Sequence, residues 1–411
     1  MQTDPPARFQ RAALAALATA SFVFVTAETL PIGLLPQIAA DLGVPESRVG
    51  FLLTSYAAIA AMTTIPLTAL TMRVPRHRLL VALVAVFAVS QAFAAVAPTF
   101  SVLVLTRLVT SLAHGVFWST LAPAAARLAP PDQAGKATAF VFVGSSGALV
   151  LGVPLGTALG QATDWRVSFG VLAAAGALSA VALLWRLPVL AVPRGDGALR
   201  RLRAAGAVVR SPGVAVVCLV TVVVVVGHFA AYTYLAPLVR ETGGLDGFGL
   251  SALLLGYGLV GLVGNVAVGH VVDRHPGTTF ICCVGAVAAA LVVLSVFDGP
   301  LVTVLSVLVW GFGFAAVPVC LQSAVLRVAP HAQDAASAVY VVSFQVGIGS
   351  GAYFGELLVG GGHLGLLTPL AAGVAVVAAV VVGLARSAFP RSGRAADRGR
   401  GLEQDERVLH H

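Results

Sequence analysis

The stretch LAPAAARLAPPDQAGKATAFV, Leu121–Val141, returns 200 residues later as LQSAVLRVAPHAQDAASAVYV, Leu321–Val341. Leu, Ala, Arg, Ala-Pro, Gln and Val recur in register, pairing Arg127 with Arg327 and Pro130 with Pro330, and further on Gly147 with Gly347. Chance similarity between alanine-rich segments does not readily set an arginine and a proline at the same two helix ends. The chain therefore reads as two copies of one plan.

Composition says what was copied. Of 411 residues, 58% are hydrophobic and only 10% charged, against about 25% charged in a soluble globular protein. Apolar runs recur along the whole length, and a run of about 20 residues crosses the roughly 30 Å hydrocarbon layer as a helix. Twelve such runs centre near residues 25, 61, 88, 111, 149, 179, 226, 259, 288, 311, 348 and 375. A transmembrane β-barrel would show short segments of alternating polarity instead. The Pro-, Gly- and Arg-rich connection Arg186–Gly213 separates six runs from six. The expected architecture is an all-α polytopic membrane protein, twelve transmembrane helices in two pseudo-symmetric six-helix bundles. Its expected divisions are a cytoplasmic N-terminus (1–12), a first bundle (13–190), a linker (191–213), a second bundle (214–386) and a disordered tail (387–411).

The net charge of +8 could suggest nucleic acid, but the cations sit where topology needs them. With a cytoplasmic N-terminus, the outer loops hold only Arg48, Arg166 and Arg240, and Arg107 lies within a helix. Every other Lys and Arg falls in an inner segment. This is the positive-inside pattern, which places both termini in the cytoplasm of a plasma-membrane protein and makes the lipid bilayer, not nucleic acid, the partner. Cys218, Cys282, Cys283 and Cys320 lie in apolar runs without metal-ligand spacing and read as buried inert thiols. No phosphate-binding Gly-Lys-Ser/Thr loop is present. No metal or cofactor is expected. A membrane enzyme would need a clustered nucleophile or metal constellation, and a sensor would usually add a soluble signalling module.

An ionised side chain at membrane depth costs roughly 2.5–3.5 kcal/mol on insertion scales and marks function by default. Glu28, in SFVFVTAETLPIGLLPQ (Ser21–Gln37), is such a residue. In a desolvated cavity it could alternate between a proton-loaded neutral state and an anion, with Arg107 as the cation for proton coupling. On the fourth run Arg107, Ser111, His114 and Trp118 follow at steps of four, three and four and share one helix face. On the seventh, Thr221, His228 and Tyr232 form a second stripe. Trp310, Phe314 and Gln345 complete the candidate substrate-binding set, and Gln345 and Asn265 each need a polar partner in hydrocarbon.

At these residues the chain resembles the major facilitator superfamily, within it the drug:proton antiporter branch, and most of all the bacterial sugar efflux transporters. The carriers are AETLPIGLLPQIA, RLVTSLAHGVFWS, LGVPLG, TVVVVVGHFAAYTY and GHVVDRHPG. The resemblance implies the major facilitator fold and a rocker-switch exporter of a small molecule, exchanging protons and acting as a monomer. It assigns Gly269, Asp273 and Arg274 to an inner-loop latch, and Gly152, Pro154 and Gly156 to a Gly-Pro bend. In the first-half counterpart of the latch, Met72 stands where Asp is expected and Pro75 where Gly is expected, which argues against a charge latch there. The solutes implied are sugars or thiogalactosides, with chloramphenicol-type antibiotics as the alternative.

Overall fold

The computed structural model describes residues 9–44, 46–190, 206–208, 210–245 and 247–391. Most of the expected linker, the first eight residues and the tail from 392 lie outside the described residues. The described chain is all helical. In order come α1 (Arg11–Gly33), α2 (Leu35–Asp41), α3 (Glu46–Thr71), α4 (Arg76–Ala95), α5 (Phe100–Arg127), α6 (Ala134–Gly147), α7 (Val153–Ala162) and α8 (Trp165–Arg186). The second series is α9 (Pro212–Tyr232), α10 (Leu235–Gly243), α11 (Gly247–Val271), α12 (Pro276–Val296), α13 (Pro300–Val328), α14 (Gln333–Gly360) and α15 (Leu367–Leu384).

Eleven of these segments are long and apolar enough to cross a membrane, with α6 and α7 counted as one, and α3 adds the apolar stretch Ser55–Thr71. Twelve spans are thus accounted for, and the protein is a multi-pass membrane protein. The 200-residue register extends to details the sequence did not announce. A short helix begins at Leu35 after α1 and another at Leu235 after α9.

The chain falls into two compact units, one of residues 1–131, 140–211 and 329–346, the other of 132–139, 212–328 and 347–411. In the first, a glycine row on α6 and α7 receives α1. A Cβ at Gly144 would collide with the Ala18 carbonyl oxygen, at Gly152 with the Thr26 hydroxyl, and at Gly156 it would lie 2.9 Å from Leu30 Cδ1. Small residues let helix backbones approach where lipid gives no hydrophobic drive between helices. Between α6 and α7 the helix widens to a π-turn over Ala148–Gly152, in which Val153 N donates to Ala148 O. Pro154, lacking an N–H, sits at the start of α7 and cannot continue the α ladder. In the second unit Gly347, Gly351 and Gly355 receive α9 in the same way, at Val225, the Val226 carbonyl and the Ala230 carbonyl.

Asp164 caps α8 by accepting from Arg166 N at 2.7 Å. Arg166 then reaches Asp41 at 2.5 Å and the Ala97 carbonyl at 3.0 Å. Trp165 Nε1 adds a bond to Asp41 at 3.2 Å. These contacts fasten the ends of α2, α4 and α8, and the Arg166 hydrogen bond holds the Asp41 carboxyl below its usual range. At the other terminus, the first residues of the segment expected to be disordered are placed. Ala388 and Phe389 are buried, Phe389 packs on Phe280 at 5.5 Å, and Gly277 N donates to Pro390 O at 3.0 Å. An apolar Ala-Phe pair directly after a span has reason to dock, which a reading based on the polar sequence beyond it overlooked. Of the cysteines, Cys282 is exposed and not buried.

Candidate functional site

The first unit builds a polar cluster from α1, α3 and α5. Its origin is Pro31, inside α1. Proline has no N–H, so the Ala27 carbonyl four residues earlier lacks its helical donor. Arg107 Nη1 supplies one at 2.7 Å, and Nη2 donates to the Glu28 carbonyl at 3.1 Å. Arg107 is 1% exposed, with its guanidinium 4.6 Å from the centroid of the Tyr56 ring. The pairing expected between Arg107 and Glu28 therefore takes another form: the cation binds the backbone of α1 at Glu28, not its carboxylate. A fork-shaped donor suits two adjacent carbonyls.

The Glu28 carboxylate turns instead towards His114, whose Nε2 lies 3.9 Å from Oε2, and the Glu28 side chain keeps 25% exposure. Ser111 Oγ donates to the Tyr56 carbonyl at 2.6 Å, and Tyr56 meets His114 edge to face at 5.2 Å. Gly115 leaves room for Thr64, whose hydroxyl a Cβ there would strike. Trp118 is half-buried and touches His114 at 5.9 Å and Phe142 at 5.5 Å. Among the described residues, three buried polar atoms here find no hydrogen-bond partner: the Tyr56 hydroxyl, Arg107 Nε and His114 Nδ1. Buried donors and acceptors are normally satisfied. They leave hydrogen-bonding capacity for a solute or water.

The second unit builds an aromatic cluster from α9, α11 and α13. Phe314 and Tyr232 stack on His228 at 3.2 and 5.0 Å, and Trp310 Nε1 donates to His228 Nδ1 at 3.1 Å. Tyr257 packs on Tyr232 at 5.3 Å and on Trp310 at 6.1 Å. Behind the rings a void of about 10 Å³ is lined by Val224, Val287, Leu291 and Val317, too small and apolar to hold a solute. Gln345 is half-buried on α14 and belongs to neither cluster. Asn265 finds the Ala139 carbonyl at 3.3 Å.

The latch residues divide. Asp273 accepts from Gly135 N at 2.7 Å and Lys136 N at 2.9 Å, capping α6, and burial raises its carboxyl above the usual range against the pull of those two bonds. Gly269 lets Ala139 approach, since a Cβ there would lie 2.5 Å from it. Arg274 is exposed and takes no part in the cap. The first-half loop, where no charge latch was expected, carries one after all: Arg76 forms an ion pair with Asp334, both nearly buried. Sequence reasoning passed over Arg76, Asp334, Tyr56 and Tyr257, because the first two are 258 residues apart and the tyrosines sit in otherwise apolar runs.

The profile of the Major Facilitator Superfamily matches residues 17–352. A chloramphenicol efflux pump of Mycobacterium tuberculosis is 39% identical over 357 residues, covering 84% of this chain and 85% of the pump. A probable sugar efflux transporter of Helicobacter pylori is 33% identical over 351 residues, covering 84% of this chain and 89% of the relative. Among solved structures, the E. coli fucose:proton symporter superposes with TM-score 0.74 at 15% identity over 90% of this chain and 98% of its own. The human organic anion transporter MFSD10 gives 0.72 at 16% over 92% and 100%. At that identity the two structures speak for the fold alone. A matching profile over most of the chain, relatives that are efflux proteins and a twelve-span helical fold together place this transporter in the Major Facilitator Superfamily.

Proposed function

We propose that the protein exports a small neutral solute across the cytoplasmic membrane in exchange for protons, by alternating access of bundles 13–190 and 214–386. Both termini then lie in the cytoplasm, and the monomer is the working unit. One observation carries this reading: a carboxylate and an imidazole, Glu28 and His114, face each other at 3.9 Å among buried polar atoms that lack partners. A carboxylate in such a place switches between neutral and charged forms at a cost the surroundings amplify. Proton occupancy of Glu28 then biases which conformation is favoured, and Arg107, bound to the carbonyls of Ala27 and Glu28, transmits that state to the backbone of α1.

The solute is neutral, amphipathic and rich in hydrogen-bonding oxygens. An aromatic cluster in which Tyr232 is half-buried offers a flat apolar face, and few charges are available to bind an ion. Chloramphenicol-type compounds fit this chemistry, in keeping with the name of the 39% identical relative. Sugars and thiogalactosides form the second reading, supported by the names of the relatives at 33% identity. Counterflow of labelled chloramphenicol, arabinose and isopropyl thiogalactoside in proteoliposomes, with and without a pH gradient, tests both. Gradient-stimulated movement of one of them supports export. Movement of none of the three, in protein shown to be folded, removes the proposal.

A further inference from the structure

The two histidines of the clusters differ in a way that assigns them different work. An indole N–H is only a donor, so the nitrogen it binds must offer a lone pair. Trp310 Nε1 donates to His228 Nδ1 at 3.1 Å, and Trp310 is fully buried, so its donor has no competing water. His228 Nδ1 is thereby unprotonated, and the neutral ring carries its proton on Nε2. Charging the ring would break this bond and set two N–H groups head to head. Among the described residues, no carboxylate or cation pairs with His228 from α11, α12, α13, α14 or α15 to offset that cost; on α14, Asp334 is paired with Arg76 and Glu356 is exposed. Phe229, Tyr232, Trp310 and Phe314 are its ring neighbours, Tyr257 packs on two of them, and the void beside it is otherwise lined by aliphatic side chains. Among the described residues Nε2 has no hydrogen-bond partner, and the residue retains 4% of its surface.

The 200-residue register gives an independent contrast. Glu28 and His228 hold the same place in their repeats, as do His114 and Phe314. Where the first repeat sets an acid against an imidazole at 3.9 Å, the second sets an imidazole flat against a phenyl ring at 3.2 Å. One copy carries an acid beside an imidazole. The other carries an imidazole and no acid at these positions.

We propose that Trp310 fixes His228 as a neutral hydrogen-bond donor from Nε2 to an oxygen of the transported solute, so that His228 reads the solute and does not carry the coupling proton. Trp310 is then a positioning residue, and Tyr232, stacked on the imidazole at 5.0 Å, offers the flat face beside the donor. The solute must present a hydroxyl, carbonyl or nitro oxygen next to a planar or apolar surface. The donor role rests on the export reading above, whereas the tautomer does not.

The test uses full-length protein labelled with ¹⁵N-histidine in lipid nanodiscs, the His228 signals being assigned by their loss in His228→Gln. The expected wild-type spectrum is a neutral ring protonated at Nε2 throughout pH 5–8. In Trp310→Phe the ring should populate the other tautomer or become charged within that range. A wild-type ring protonated at Nδ1 or charged in that window would overturn the tautomer assignment, and a Trp310→Phe spectrum identical to wild type would overturn the part given to Trp310 in fixing it. In counterflow of chloramphenicol, His228→Asn should raise KM tenfold or more, while His228→Gln, whose amide nitrogen falls near the Nε2 position, should recover most of the loss. Both should still respond to an imposed pH gradient. Loss of that response with counterflow intact would make His228 the proton carrier and sink the proposal. Wild type that moves none of the three solutes would remove the export reading and the donor role together, with the spectra still deciding the tautomer.

Discussion

Arg107→Ala should destabilise the protein by an amount that depends on Pro31, and the dependence can be worked out from the cluster. Arg107 makes two hydrogen bonds to carbonyls, at 2.7 Å to Ala27 and 3.1 Å to Glu28. Bonds to a charged group contribute about 1.5–3 kcal/mol each, and stacking over Tyr56 at 4.6 Å adds about 0.5–2 kcal/mol. Removing the buried charge returns part of this, because its desolvation cost disappears as well. What remains unopposed is the Ala27 carbonyl, which Pro31 has deprived of its helical donor. An unpartnered buried acceptor costs about 1–3 kcal/mol. Pro31→Ala restores that donor within α1, so the penalty should vanish in its background. The double-mutant coupling is therefore expected at about 1–3 kcal/mol, since Arg107 and Pro31 act on one atom. It is measured by SDS-induced unfolding in mixed micelles followed by tryptophan fluorescence. Arg107→Lys should recover part of the loss, because an ammonium can still donate to the Ala27 carbonyl but lacks the planar fork that a guanidinium presents to both carbonyls. An Arg107→Ala cost equal in both backgrounds to within about 0.5 kcal/mol, the range of simple additivity, would refute the assignment of Arg107 to the proline-freed carbonyl.

Three further expectations use the same unfolding measurement. Gly144→Ala should be destabilising by more than about 2 kcal/mol, the upper range for overpacking against something that cannot yield, because the new methyl meets the Ala18 backbone. Gly147→Ala, whose methyl would lie an ordinary 3.7 Å from Phe22, should be neutral or slightly stabilising, and equal effects would contradict the glycine row. Arg76→Ala or Asp334→Asn alone should cost about 3–5 kcal/mol and the apolar pair Arg76→Met with Asp334→Leu much less, as for other buried ion pairs; similar losses for single and double variants would count against burial of the pair. The Asp41 carboxyl, held low by Arg166, contributes stability that is complete above its ordinary value of 3.8 and is lost as pH falls through the lower folded value. Asp41→Asn should remove that acid-side loss, and an unchanged pH profile would show that the carboxylate does not contribute.

The fold was legible because lipid imposes few solutions: runs of the right length must be helices, and the repeat around Arg127 and Arg327 set their grouping. The site was legible only as far as helical faces could show it. Steps of four, three and four placed Arg107, Ser111, His114 and Trp118 together, and the structure brings Arg107, Ser111 and His114 around Tyr56. Nothing in the periodicity named Tyr56 itself, since an aromatic residue in an apolar run looks like packing. The destination of Arg107 did have a signal that went unused. Pro31 removes the donor for the Ala27 carbonyl, a freed carbonyl in hydrocarbon needs a partner, and a buried guanidinium is the strongest available. The Arg76–Asp334 pair had no such signal, because it joins distant segments that only the tertiary fold brings together.

We place the coupling proton on the carboxylate of Glu28, and Glu28→Gln in proteoliposomes tests that placement by comparing counterflow of chloramphenicol without a gradient against transport driven by an imposed pH difference. The amide retains the shape and hydrogen bonding of the protonated acid and cannot ionise. Counterflow should persist and the gradient should lose its effect, whereas a pH difference that still drives the variant as strongly as wild type would place the coupling proton on another residue.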